Sequence, residues 1–515
     1  MREFGSAFGT AMTRVQTTPD ELDASVGAVF ANLRELALDD GYPRFTALSA
    51  GAHLVDLGGA ATAVLTIAPA ARSREHPADS HLVGLTITDR GRLSDRQVDD
   101  VYACVEALPF TAHEIRRLAP QLPLTRGLAA DVDGRPLRGL ALFVVAHLVT
   151  DLVVQLETLV ELGADPRRIT VVKKEYAYRH RRRVESHLRA RGVAVFDTAH
   201  VADALVDHCR RAAGGCLALD DGGYVLPTLL REHPELVPRF RGVVEQTMSG
   251  IFRLEPFDDL PLPVFPVAQS EVKRTIEPRW VADRAVRTIV DLLAEEKLEG
   301  QPALVVGYGR IGEQIADVLR DRRMRVAVHD DDALRLLAAH ERGYATSGDL
   351  PSLLRAHRPR LVVGGTGRTS LGSVHFGLLP PGCQLASVSS RDTEFDLTAL
   401  RELALRVEPV ADIGTRYHLP RGPVTVLADG YPVNFHRSDS MSNRCSDLTV
   451  AAVTCGACVL ARPDHGLADG VDLDRANAAL AAAGLVERYY ELYRARVDDP
   501  LPDQARWDTG FGRTA

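Results

Sequence analysis

The sequence predicts an α/β protein, and three observations predict it. From about residue 137, short β-branched runs alternate with helix-like stretches, the pattern of parallel strands joined by crossover helices. At 303–330 an apolar run, a glycine-rich turn, a helix-like stretch and a second apolar run follow one another directly. The 515 residues exceed what one compact core holds, which implies two or three domains. The expected layout is an N-terminal α+β extension at 1–132, an α/β domain at 133–284 completed by about 440–475, a second α/β domain at 285–436 and a helical tail at 476–515.

Each element has a local reason. Thr18, Pro19 and Glu21 supply a cap, a proline at the first helical position and an acid at the third, ahead of "LDASVGAVFANLRELAL". "HLVDL", "TAVLTIA" and "LVGLTIT" read as strands separated by turn residues. Ser94 and Gln97 cap a second helix, "VDDVYACVEAL". This first unit shows no catalytic constellation. Beyond it, "LALFVV", "ITVV", "VAVF" and "CLAL" read as buried parallel strands, and Gly163 as a helix C-cap. The basic run "RHRRRVESHLRARG" reads as a solvated helix face. Pro278 suggests a helix that starts there, runs to Gly300 and bridges two domains.

In "ALVVGYGRIG", Gly307, Gly309 and Gly312 form G-x-G-x-x-G directly after a strand and at a helix start. The first glycine makes the turn, the second admits a pyrophosphate, and the third packs helix on strand. Asp330 ends the next strand, eighteen residues beyond Gly312, where an acid receives ribose hydroxyls. That context predicts a Rossmann domain with a bound dinucleotide, and the acid favours NAD over NADP, with Arg335 close by. "RLVVGGTGR", which holds Thr366 and Gly367, reads either as the nicotinamide side of that site or as a plain strand-to-helix turn.

Composition excludes other classes. A net charge of −8 argues against general nucleic-acid binding. No apolar stretch is long enough to span a membrane, and the N-terminal residues lack a signal-peptide core, so a cytoplasmic protein is expected. Seven scattered cysteines, an odd number, argue against a disulfide framework. The one CxxC, Cys455 and Cys458, sits among small apolar residues and reads as helix packing rather than a metal site; no metal is expected.

"VKRTIEPRW" places Lys273 one helical turn before Glu277. Alone, the pair is either a surface ion pair or a proton-handling pair. Around it, "PLRGLALFVVAHLVTDLVVQLETLVELGA", "ALDDGGYVLPTLL", "RGVVEQTMSGIFRL", "VAQSEVKRTIEPRW", "GYGRIG", "GGTGR", "SVSSRDTEFD" and "DGYPVNFHRSDSMSN" occur in order. As a set, from about residue 137 to about 460, they resemble the S-adenosyl-L-homocysteine hydrolase family. The resemblance implies a substrate-binding α/β domain followed by the Rossmann domain, and a small nucleoside as substrate. The implied chemistry is oxidation of a ribose 3′-hydroxyl by NAD, loss of the C4′ proton, expulsion of the 5′ substituent, addition of water and re-reduction. It implies Lys273 at the 3′-hydroxyl with Glu277 as its carboxylate, and His147 and Asp221 as proton-transfer groups on the C4′/C5′ side. Thr247, Ser249 and Asn434 carry over as cofactor contacts. A homo-oligomer, dimer or tetramer, is implied as well.

The chain departs from the family's pattern at informative places. Gln246 stands for a glutamate, Pro278 for an asparagine, Ala282 for a cysteine and Ser390 for the histidine that works near the 5′ position. Val149 and Asp151 stand where a threonine and a glutamate read the adenine. The loop from Asn434 to Met441 is shorter and has lost Gly-His-Pro, with His436 as a candidate substitute or a plain loop histidine. The tail "RWDTGFGRTA" lacks the Lys and Tyr that reach a neighbouring subunit's NAD. Asp151, Gln246, Ser390, His436 and Met441 are therefore the candidate substrate-binding residues. The expected function is oxidation, elimination and re-reduction on a different nucleoside, a dehydratase or lyase of nucleoside natural-product metabolism. The alternatives are a divergent S-adenosylhomocysteine hydrolase, a catalytically silent NAD-binding regulator and an NAD-dependent 2-hydroxy-acid dehydrogenase.

Overall fold

A computed structural model describes residues 10–494 apart from 16–18, 37, 39–42, 71–79, 177, 179, 390–392 and 437–442. The Thr18 cap, Ser390 and Met441 lie outside the described residues. Three sheets organise the rest. The first is a five-stranded antiparallel sheet, Thr10–Val15, Ser80–Asp89, Ala61–Ala70, Ala52–Gly58 and Arg44–Ser49 in spatial order. Val98, Val101 and Val105 of the helix Asp95–Glu106 bury against it. The Ser94–Gln97 capping box closes reciprocally, at 3.3 and 2.9 Å.

The second sheet has seven strands, all parallel: Gly470–Val471, Pro263–Pro266, Phe240–Glu245, Cys216–Asp220, Ala141–Ala146, Ile169–Lys173 and Ala194–Asp197. Cys216–Asp220 is buried along its whole length, as a strand covered by helices on both faces must be. The chain order reverses at Ala141–Ala146, whose neighbours lie on either side later in the sequence. Such a reversal opens a crevice at the carboxyl ends of the strands.

The third sheet runs Ala345–Thr346, Arg325–His329, Pro302–Val306, Leu361–Gly364, Cys383–Ser387, Gly422–Leu427, Gly414–Leu419 and Arg406–Val410. The first six strands pair in parallel, and the last two pairings, through Gly414–Leu419, are antiparallel. Its reversal falls at Pro302–Val306, so a second crevice opens at the glycine turn.

The helix Glu271–Leu292 joins the two parallel sheets. Val272 and Ile276 pack on the seven-stranded sheet's core, while Ala282, Ala285, Val286 and Ile289 belong to the core of the eight-stranded sheet. Pro278 does not start this helix; it is its eighth residue, and the helix ends at Leu292 rather than Gly300. The start is set by Ser270, whose Oγ accepts from Lys273 N at 3.3 Å, a cap about two turns ahead of the proline. Cys455 and Cys458 are buried in the helix Asn443–Leu460, and all seven cysteines are free. The basic run forms the helix Arg181–Ala190, but Arg183 is buried rather than solvated, paired with Glu114 at 2.6 Å. Among the described residues, no helix is long and apolar enough to cross a membrane.

Candidate active site

The two crevices meet in one cleft of about 1200 Å³. Four side chains share a single origin, three of them lining the cleft and the fourth, Lys174, buried behind Asp221. His147, Lys174, Asp221 and Gln246 each follow the last residue of one of four adjacent parallel strands, Ala141–Ala146, Ile169–Lys173, Cys216–Asp220 and Phe240–Glu245. Parallel pairing puts those ends side by side, so residues far apart in sequence converge. Asp221 Oδ2 receives His147 Nε2 and Gln246 Nε2, each at 3.2 Å, and Oδ1 is hydrogen-bonded to Lys174 Nζ. His147 Nδ1 is hydrogen-bonded to the Tyr178 hydroxyl. Its ring stacks on Phe435, with centroids 4.1 Å apart.

Charge in this cluster is fixed by burial and pairing. Burial opposes ionisation of Asp221, but the Lys174 ammonium and the His147 hydrogen bond hold its carboxyl well below the usual carboxylate range. Burial, opposed by the Asp221 carboxylate, lowers the basicity of His147 and favours the neutral ring. Behind them, Glu245 accepts the N–H groups of Gly222, Gly223 and Thr247 at 3.2, 3.0 and 2.7 Å, which ties the DDGG turn to the following loop. Burial pushes Glu245 well above the usual carboxylate range and Asp220 up to about 6.

Lys273 approaches from the bridging helix. Its Nζ donates to the Gln246 carbonyl at 2.6 Å and lies 3.2 Å from Glu277 Oε2. Both side chains are largely withdrawn from water, at 11% and 18% exposure, which sets the pair apart from an ordinary surface ion pair. Thr449 Oγ1 donates to Glu277 at 3.4 Å. Gln246 thus touches both groups: its backbone carbonyl serves Lys273 and its side-chain amide serves Asp221.

The opposite wall fits a dinucleotide. A Cβ on Gly312 would lie 1.8 Å from the Gly307 carbonyl oxygen, and Gly307 itself has φ +95°, so neither position admits a side chain. Gly309 caps the helix Arg310–Asp321, and nothing lies within 4 Å of where its Cβ would be. That leaves a helix N-terminus open to a pyrophosphate. Asp330 receives Tyr308 N at 2.6 Å and borders the same cleft. Thr366 and Gly367 also line the cleft, held by the buried Glu394, to which Gly367 N donates at 2.6 Å. The alternative left open for "GGTGR" is settled for position: the turn faces the cleft.

Of the residues expected from sequence, His147, Asp151, Asp221, Gln246, Thr247, Ser249, Lys273, Glu277, Gly307, Gly309, Asp330, Thr366, Gly367 and Asn434 all line this cleft. Gly312 supports it from below. His436 does not line it; its Nε2 is 3.2 Å from the Asp412 carbonyl, because the short helical turn Val433–Phe435 points Phe435 inward instead. Lys174, Tyr178, Phe435, Glu245 and Glu394 were missed by the sequence reading.

Comparison with known proteins agrees with the fold of the glycine-turn unit. The family model for the NAD-binding domain of S-adenosyl-L-homocysteine hydrolase matches residues 285–440. The chain is 30% identical over 409 residues to the uncharacterized protein Rv0104 of Mycobacterium tuberculosis, covering 75% of each chain. It is 26% identical over 303 residues to the adenosylhomocysteinase of Thermosynechococcus vestitus, covering 56% of this chain and 68% of that one. It is also 26% identical over 280 residues to the S-inosyl-L-homocysteine hydrolase of Methanosarcina acetivorans, covering 52% and 67%. Fold and site define an NAD-binding protein of α/β class. The chain belongs to the S-adenosyl-L-homocysteine hydrolase family, as a divergent member, and NAD is its cofactor.

Proposed function

We propose that the chain holds a nucleoside in the 133–284 unit, completed by about 440–475, and NAD in the 285–436 unit, and that it eliminates water from the sugar. NAD, when bound, supplies reversible oxidation of an alcohol carbon. Lys273 takes the proton of the 3′-hydroxyl, and Glu277 and the Gln246 carbonyl then hold the resulting ammonium. The 3′-ketone acidifies the C4′ proton, which passes to His147 Nδ1, the ring nitrogen turned away from Asp221, in exchange for the hydrogen bond that Nδ1 accepts from Tyr178. The electron pair left at C4′ expels the 5′ substituent. With hydroxide leaving, one water is lost and a 4′,5′-alkene remains after re-reduction. The same reading carries a cytoplasmic homo-oligomer.

The observation that carries this reading is the double contact of Gln246. It joins the oxidation group Lys273, at 2.6 Å, to the proton-transfer group around Asp221, at 3.2 Å, across the cleft. A charged glutamate at this position would face the Asp221 carboxylate; the amide donates to it instead. The substitution of Ser390 for the family's 5′-side histidine supports omission of the water-adding half. The test is exchange in heavy water. The holoprotein is expected to place deuterium at C4′ of a recovered nucleoside, and Lys273→Met to lose that exchange. Exchange that persists undiminished in Lys273→Met contradicts the assignment. A second reading, hydrolysis of a nucleosidyl thioether by the same steps with water added, is favoured by the relatives named as homocysteine-nucleoside hydrolases.

A further inference from the structure

Lys174 has no part in the steps above, yet it is among the largest fully buried side chains of the protein, at 2% exposure. We infer that Lys174 is a positioning residue: by clamping Asp221 it fixes the tautomer and the basicity of His147, with Tyr178 completing the chain on the other ring nitrogen. This rests on the reading of His147 as the proton-transfer group.

The geometry is a file of four side chains, Lys174–Asp221–His147–Tyr178. Asp221 also accepts from Gln246, so three donors converge on one carboxylate. A carboxylate only accepts, so the hydrogen between Asp221 and His147 belongs to Nε2. In a neutral ring Nδ1 is then the bare nitrogen, and it accepts the Tyr178 hydroxyl hydrogen. Other groups face this file as well. Lys273 approaches from the bridging helix, Asp220 and Glu245 lie behind Asp221, and Tyr176 and Phe435 flank the ring.

Lys174 acts through charge. An unpaired Asp221 would draw a proton onto His147 and leave an imidazolium. Paired with Lys174, the carboxylate is already neutralised, so an imidazolium gains little beside it and the ring stays available as a base. The sequence around Lys174 explains its placement. In a strand successive side chains alternate faces. Lys173 therefore turns to Glu185 and Asp197, at 2.8 and 3.4 Å, while Lys174 turns to the strand-end cluster.

The test reads His147 directly in the NAD-loaded protein, by nuclear magnetic resonance with nitrogen-labelled histidine, the signal being assigned by its loss in His147→Gln. The wild type is expected to show the Nε2–H tautomer. Lys174→Met is expected to move the His147 titration upward by about one pH unit or more, and Lys174→Arg to restore it. Equal titration in wild type and Lys174→Met overturns the inference. Should Lys174→Met not fold, the charge-balanced Lys174→Met/Asp221→Asn variant is expected to lose the Nε2–H preference; retention of it overturns the inference equally. No turnover is needed, so failure of C4′ exchange leaves this result intact, and the two readings fail separately.

Discussion

Lys273 and Asp220 give the most specific consequences at the scale of single residues. Replacing Lys273 by methionine keeps the stem and removes the proton acceptor. The expected loss is about 10²–10⁴-fold in single-turnover reduction of the bound cofactor. Followed by the absorbance of the reduced nicotinamide, a wild-type rate in Lys273→Met removes Lys273 from the chemistry. Asp220 makes a pH prediction. Burial raises its folded-state pKa to about 6, above the ordinary aspartate value. The stability tied to its proton is therefore present below the unfolded pKa and is lost as pH rises through the folded one. Asp220→Asn, which keeps an acceptor for Val225 N, is expected to gain in melting temperature on the wild type between about pH 4 and 6. A constant difference across that window contradicts it. Lys273 and Glu277 were legible because one-turn spacing puts both on one helix face. Lys174 was not, because "VVKKEY" reads as a strand running into solvated charge. Its signal was positional: it stands one residue past a strand end, as His147 and Asp221 do.

Elements were legible where a local rule and the tertiary structure agree. The strands "LALFVV", "ITVV" and "CLAL" and the strand–glycine–helix unit follow from period and turn chemistry alone. The bridging helix was misread at its start because proline is a frequent first residue, whereas here Ser270 caps the helix a full two turns earlier. An internal proline leaves the Arg274 carbonyl without its helical donor. Pro278→Ala is expected to stabilise the protein by about 1–3 kcal/mol, measured by denaturant unfolding. Destabilisation by that variant would show that the proline's geometry, at the cleft wall, is required by the fold. Position 278 lies one residue beyond Glu277, so the family's polar amide is exchanged for a rigid apolar edge beside the Lys273 pair.

At the scale of the whole molecule, the N-terminal unit is fastened to the catalytic part. Arg183 makes a two-pronged pair with Glu114, at 2.6 and 3.1 Å, donates to the Leu108 carbonyl at 2.9 Å and stacks over Phe110. Asp447, fully buried, accepts from Leu124 N and Thr125 N, each at 2.8 Å. Arg183→Ala removes the cation that faces the buried Glu114 carboxylate, which keeps the Thr111 N–H at 2.9 Å, at an expected cost of about 3–5 kcal/mol. Limited proteolysis should then release the first unit sooner, and unchanged cleavage argues against the clasp. This docking was invisible in the sequence because a basic run on a helix is usually solvated, and only the fold brings Glu114 to it.

The proposed reaction is dehydration of a nucleoside on the scaffold of a hydrolase family. Its most direct measurement is mass analysis of products after incubating the NAD-loaded protein with nucleosides and with S-adenosylhomocysteine. The expected product is a nucleoside lighter by one water, with no net accumulation of reduced cofactor. Release of homocysteine from S-adenosylhomocysteine, with no dehydrated product from any nucleoside, would contradict it.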